Sequence, residues 1–353
     1  MKKLFNTITY HPFFIRLMHW EYWPFHVVYG LIYPIFIWYM IKAKSFIFYS
    51  ASNPTIENGG FLMESKKKIY DLIPDAYKPF TLYYEAGTKY EYILQEIQQH
   101  QLAYPLIIKP DIGGMGKGVM KVNNKHELQT AILKFPFAFI IQPFIYYEKE
   151  IGLFYVRYPN QTKGKITGIV DKDFLKVKGD GVLTIKELLL LNKRYVLQMD
   201  AIENLCANRL DIILKKNEEE VLIPFGNHAR GSLFLDATHW VDENFENNFD
   251  AICKQIDGFY YGRLDIKYES LELLKQGKSF SIIELNGAGS EPTHIYDPKH
   301  SLFFGWKEII RHWKMLYEIS MLNKKAGIEF MTFADWRLMF KNNAAYQKKL
   351  ATL

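Results

Sequence analysis

The stretch "YPLIIKPDIGGMGKGV", Tyr104 to Val119, limits what this chain can fold into more than any other segment. An apolar run ends in Lys109-Pro110, and four glycines then fall within the six residues Gly113 to Gly118, with Lys117 among them. The following "VMKVNN" reads as a second strand, so the glycines form a loop between two antiparallel strands. Without Cβ atoms, such a loop can close its backbone N–H groups over phosphate oxygens. A Walker A loop places Ser or Thr after its lysine, and here Gly118 stands there. A dinucleotide-binding loop opens a helix, and this one opens a strand. On the glycines alone, a plain hairpin loop stays open as the alternative.

Two later runs carry polar residues at period two. In "YGRLDIKY" Arg263 and Asp265 share a face, and in "FSIIELNGAGSEPTH" Glu284 and Asn286 share one. If these strands pair, Asp265, Glu284 and Asn286 converge as an oxygen-rich cluster suited to Mg²⁺ on nucleotide phosphates. Arg263 beside them can stabilise charge on a transferring phosphoryl group. The alternative is two edge strands with solvated polar faces, against which the apolar Ile282, Ile283 and Leu285 argue.

The 353 residues and net charge of +6 leave room for several folding units and favour anionic partners, and no Lys/Arg tract points to nucleic acid. Cys206 and Cys253 form neither a disulfide framework nor a zinc motif. The first 45 residues stand apart. No formal charge occurs between Tyr22 and Ile41, aromatic residues cluster at both ends, and Lys42 and Lys44 follow. Three readings stay open: a membrane-crossing helix, a kinked segment lying in the bilayer interface, or a buried hairpin. A cleaved signal peptide is not expected. Residues 46–103 read as a short β-α-β-α unit beginning with a strand at "SFIFYSASNP", 104–323 as the main domain, and 324–353 as a basic aromatic tail.

In content and order, the residues from Tyr104 to Pro298 resemble the ATP-grasp superfamily: a lysine ending a strand, a glycine loop, a hinge, then D-x and E-x-N strands. "KGDGVLTIKELLLLNKRY" and "GNHARGSLFLDAT" are similar to segments of cyanophycin synthetase, and "NGAGSEPTH" resembles the acceptor loop of D-alanine–D-alanine ligase. The resemblance implies an α+β fold in which two subdomains sandwich ATP. It places Lys109, Gly113, Gly114, Gly116, Lys117 and Gly118 on the phosphates. It places Gln142, Pro143, Phe144 and Ile145 at the adenine hinge, with Gln142 departing from the family's usual Glu, and Glu150 on the ribose. It assigns Asp265, Glu284 and Asn286 to two Mg²⁺ ions (Mn²⁺ being an alternative). Arg263, Arg230, Asn227 and the oxyanion-binding Gly289 take catalytic roles, and His228, His294 and Glu291 keep open ones.

The implied chemistry is carboxylate activation by ATP to an acyl-phosphate, then attack by an amine or thiol. A phosphotransferase and a membrane-tethered, non-catalytic ATP-binding scaffold are the competing readings. The short spacing between the apolar segment and the first expected strand adds an amphiphilic or lipid-linked substrate and a membrane surface as partners. The expected location is the cytoplasmic side of the membrane, with a soluble cytoplasmic protein as the alternative.

Overall fold

The computed structural model describes residues 11–114, 116–223, 226 and 231–351. Three short helices come first, α1 (Pro12–Met18), α2 (Phe25–Gly30) and α3 (Tyr33–Ala43). Pro24 caps α2, whose missing N–H makes it a natural break, and α3 ends on Lys44 in the left-handed region. At 1.5 Å per residue, the 11 residues of α3 reach roughly 16 Å, about half a hydrocarbon core. Among the described residues no helix is long and apolar enough to cross a membrane. The expectation of a spanning helix is therefore corrected. Instead Trp20, Val28, Tyr29 and Ile32 pack against Ile295 and Ile309. Trp20 Nε1 donates to His300 O (2.9 Å), and Trp306 Nε1 to Val28 O (2.7 Å). Of the aromatic residues that imitate an interfacial belt, Trp20 and Trp23 pack between this segment and the long helix α10 (Leu302–Lys325), while Trp38 stays exposed.

The strand expected at "SFIFYSASNP" is a 3-10 turn, Phe48–Ala51. Its carbonyls find side-chain partners instead of a ladder: Asn323 Nδ2 donates to Ala51 O (2.8 Å) and Ser52 O (3.2 Å). The helix expected next is confined to α4 (Lys66–Leu72), capped by Ser65.

The remaining elements form two antiparallel sheets and a smaller lobe. The first sheet has the order β1 (Leu82–Tyr84), β4 (Phe139–Pro143), β2 (Leu106–Pro110), β3 (Met120–Val122). Helices α5 (Tyr90–Gln99) and α6 (Lys125–Ile132) contribute Ile93, Ile97 and Leu128 to its core. Because β1 joins this sheet, residues 46–103 do not make a sheet of their own. The expected C-terminal tail is a helix, α11 (Phe333–Leu350), capped by Thr332, and its Tyr346 and Leu350 pack on the same core.

The second sheet has the order β11 (Phe280–Asn286), β10 (Tyr261–Tyr268), β5 (Lys149–Val156), β6 (Lys165–Asp173), β9 (Leu233–Asp236). Helix α9 (Glu243–Cys253) buries Phe245, Phe249 and Ile252 against it. The third lobe pairs β7 (Leu175–Lys178) with β8 (Glu219–Ile223). Over this ribbon lie α7 (Ile185–Leu190), opened by a Thr184–Glu187 capping box, and α8 (Met199–Cys206).

One buried side chain ties the N-terminal third to the second sheet. Asn53, fully buried, donates from Nδ2 to Gly59 O (2.9 Å) and Tyr261 O (2.8 Å) and accepts at Oδ1 from Tyr260 N (2.9 Å) and Tyr261 N (3.0 Å). Asn53→Ala leaves these backbone groups unpaired in a dry environment, at about 1–3 kcal/mol each before relaxation. We expect the variant to lose at least about 3 kcal/mol in urea unfolding. A loss under about 1 kcal/mol would show that this tie is replaceable.

Candidate active site

The glycine loop joins β2 to β3, which pair antiparallel (Leu106 opposite Val122), as the sequence predicts. Gly113, Gly116 and Gly118 have φ of 121°, 67° and 71°, in the region that favours glycine. Lys117 is exposed at the loop's far side. The loop's near side is anchored to α4. Asp111 accepts Lys67 N at its carboxylate (2.8 Å) and Lys66 N at its carbonyl (3.0 Å), and Lys66 Nζ donates to Gly113 O.

Across the cleft, β10 and β11 pair as their alternation predicts, with Arg263 opposite Asn286 and Asp265 opposite Glu284. The register then slips, leaving Ile283 as a bulged residue between Glu284 and Ile282. The bulge turns Ile283 O toward the first sheet, where it accepts from Tyr70 OH and from Lys109 Nζ (3.3 Å). Lys109 also reaches Tyr70 OH (3.0 Å) and is 8% exposed. Burial lowers its ammonium to about 8, against the opposing pull of Glu284. Glu64, Lys66, Tyr70, Gly113, Glu284 and Asn286 line the resulting cleft.

The metal candidates divide. Asp265 is held by Arg263 Nε (3.0 Å) and by Lys172 Nζ (3.2 Å). Burial alone raises its carboxyl, but Arg263 and Lys172 hold it below the usual range. Glu284 faces the cleft half-buried, and Asn286 Nδ2 is buried without a hydrogen-bond partner among the described residues. Carboxylate and amide oxygens suit Mg²⁺. Among the described residues no three His, Cys, Asp or Glu side chains stand close enough to hold an ion by themselves, so an ion on Glu284 and Asn286 would complete its shell with phosphate oxygens.

Several expected residues have other partners. The Gly289 amide donates to Gly60 O (2.9 Å) and that of Ala288 to Gly59 O (3.0 Å), so neither N–H is free for an oxyanion. Glu150 pairs with Lys172 (2.8 Å) and accepts Gly226 N (3.4 Å) within a buried network, leaving no open carboxylate for a ribose. Gln142, next to last in β4, donates to Thr81 Oγ1 (2.7 Å). Its neighbours Pro143 and Phe144 continue the edge toward Ile145, with Phe144 N bonded to Pro105 O (3.2 Å). Asn227, His228 and Arg230 lie outside the described residues. His294 is buried beside Glu308 (3.4 Å) and fills space above Gly168, away from the cleft. Glu291 accepts from Tyr29 OH and from Tyr296 OH (3.1 Å), while Arg263 Nη1 donates to its carbonyl (3.2 Å).

The sequence reading missed Lys172, Tyr70, Glu64 and Tyr29. Lys172 had a signal: it falls in phase with Ile166, Gly168 and Val170 on the buried face of β6. Against burial, Asp265 and Glu150 hold its ammonium above the usual value. Glu64 had none, because its place depends on the loop Glu57–Ser65 folding onto the 287–289 turn.

In fold, the chain is similar to solved structures of a bifunctional glutathione synthetase from Pasteurella multocida (17% identity, TM-score 0.39, 74% of this chain and 36% of that one) and of the VanG D-Ala:D-Ser ligase from Enterococcus faecalis (16%, 0.43, 74% and 64%). It is also similar to a D-alanine–D-alanine ligase from Bacillus anthracis (13%, 0.42, 74% and 68%). The likeness is to a glutathione synthetase and to D-alanine ligases. The chain thus spans 36% and 64% of the length of the first two. No protein-family model matches the sequence, and no curated protein matches it. With every TM-score below 0.5, function has to be read from the site's own residues.

The Lys109 ammonium predicts a pH dependence. Its value is depressed to about 8, so the charged form is lost as pH rises through 8. If it contacts phosphate, ATP affinity falls above pH 8 by up to about tenfold per unit, and Lys109→Met flattens that slope. Equal slopes in both proteins, measured by calorimetry from pH 7 to 9.5, would remove Lys109 from the phosphate site.

Proposed function

We propose that this protein is an ATP-dependent carboxylate–amine ligase working through an acyl-phosphate and releasing ADP and phosphate. The observation that carries the reading is the facing of two walls. One is the β10–β11 pair with Asp265 opposite Glu284 and Arg263 opposite Asn286. The other is Lys109 at the end of the strand that feeds the glycine loop. In this reading Lys109, Lys117 and the backbone of Gly113, Gly114, Gly116 and Gly118 hold the phosphates. The edge from Gln142 to Ile145 meets the adenine through backbone groups. Glu284 and Asn286, with Asp265 behind them, hold Mg²⁺, which would neutralise phosphate charge. Arg263 stabilises the transferring phosphoryl group. Lys172 pairs with both Asp265 and Glu150 and holds their carboxylates in place. The acid and amine are small molecules.

The test is a hydroxylamine trap with ATP, Mg²⁺ and pools of carboxylic acids. Hydroxamate should form with one pool and fall at least about a hundredfold in Glu284→Gln. ATP hydrolysed with a phosphorylated product and no hydroxamate would favour the phosphotransferase reading. Binding of ATP without turnover by any pool would favour the scaffold.

The outer face of the N-terminal helices supports a peripheral contact with an anionic bilayer at the cytoplasmic side, where ATP is found. Met18 (79%), Leu31 (76%), Ile41 (63%) and Trp38 (57%) are exposed, Arg16, Lys42 and Lys44 lie along the same segment, and Glu21 is the one acid before residue 57. The protein should co-sediment with phosphatidylglycerol-containing vesicles and much less with neutral ones, and Trp38→Glu/Ile41→Glu should abolish this. Equal recovery in the supernatant with both vesicle types would remove the membrane and the amphiphilic substrate from the reading.

A further inference from the structure

We infer that Glu64 is the site that binds the ammonium group of the amine substrate, an inference that rests on the ligase reading above. Three observations converge on it. First, Glu64 lines the cleft with Glu284 and Asn286, yet it comes from neither phosphate-facing sheet. It belongs to the loop Glu57–Ser65, whose Gly59 and Gly60 carbonyls accept the Ala288 and Gly289 amides (3.0 and 2.9 Å). That backbone pairing sets Glu64 beside the turn following Asn286, where the amine substrate has to arrive; its ammonium gives up one proton, to the Glu64 carboxylate, before the neutral nitrogen attacks. The approach is close: a Cβ on Gly60 would lie 2.6 Å from the Gly287 Cα.

Second, Glu64 Oε2 is buried and has no hydrogen-bond partner among the described residues. A buried carboxylate oxygen without a donor is costly, and a substrate N–H removes that cost. The nearby cations are engaged or turned elsewhere: Lys66 Nζ donates to Gly113 O, Lys68 to Glu57 and Lys109 to Tyr70.

Third, the surroundings of Glu64 fit a cationic guest with N–H donors. Glu64 and Glu284 both line this side of the cleft, while Lys66 has its ammonium on Gly113 O. A primary ammonium carries one positive charge and three donors. A divalent ion is the weaker fit, because Glu64 does not complete a three-ligand group with its acidic neighbours.

The experiment uses the full chain with the acid found by the hydroxylamine trap, then amino acids and short diamines supplied singly, the amide being read by mass spectrometry. Glu64→Gln should raise the amine KM by about tenfold to a hundredfold with the KM for ATP within about threefold of wild type, as expected from losing one charged hydrogen bond. Glu64→Asp should recover part of the amine affinity, and thermal unfolding of both variants should match wild type. An unchanged amine KM in Glu64→Gln overturns the assignment. So does a tenfold weaker Mn²⁺ affinity with unchanged amine KM, which would make Glu64 a cation ligand. Hydroxamate without amide from any of these amines also counts against it. Absence of hydroxamate in the wild type is a different failure, because it removes the ligase reading itself.

Discussion

The pairing of β10 with β11 is the constraint on which the rest of this molecule depends. One register puts Arg263 opposite Asn286 and Asp265 opposite Glu284, and a single bulged residue, Ile283, then resets the ladder for the apolar pairs behind. A one-residue slip would send the polar set into the apolar core of the second sheet. The bulge costs one ladder position and supplies the carbonyl that Tyr70 and Lys109 use to hold the first sheet against the second. Sheet register, cleft width and the environment of Lys109 therefore share one cause.

Charge burial follows from that register. Glu150, Lys172 and Asp265 have side chains only 5–7% exposed, and Arg263 leans on the same carboxylate. Each of these ions would cost several kcal/mol alone, and the network is tolerable because every member meets an opposite charge at 2.8–3.2 Å. Lys109 stands outside the network and hydrogen-bonds only neutral oxygens, so burial depresses its ammonium. The cleft therefore joins an internally balanced wall, around Asp265, to an unbalanced one. A polyanion would relieve Lys109, and a cation would relieve Glu64 and Glu284.

The N-terminal segment is scaffold for the turn that follows β11. Asn53 clamps the 52–60 loop to β10, the loop's carbonyls take up the amides of residues 288 and 289, and Tyr29 reaches Glu291 in the same turn. The Ala288 and Gly289 amides are taken up by the Gly59 and Gly60 carbonyls, which is why Gly289 does not offer its N–H to a ligand. Asn286 Nδ2, buried and without a partner among the described residues, is a donor left at the cleft.

What the sequence determined by itself is local and periodic. The glycine spacing after Lys109 specifies a loop between antiparallel strands, because glycine alone takes those positive φ angles at low cost. The two-residue alternation in "RLD" and "ELN" specifies which side chains share a face, because pleating is a local property. Caps such as Thr184 and Asp242 announce their helices for the same reason. What only the tertiary structure decided is which surfaces meet. The apolar stretch before Lys42 has a membrane-like composition, and only the presence of Ile295, Ile309 and Trp306 shows that Val28, Tyr29 and Ile32 within it are core. "SFIFYSASNP" has strand composition but becomes a turn because Asn323, some 270 residues away in sequence, takes its carbonyls. The free carboxylate oxygen of Glu64 was illegible for the same reason: a missing partner is a property of everything packed around an atom, and no window of sequence contains it.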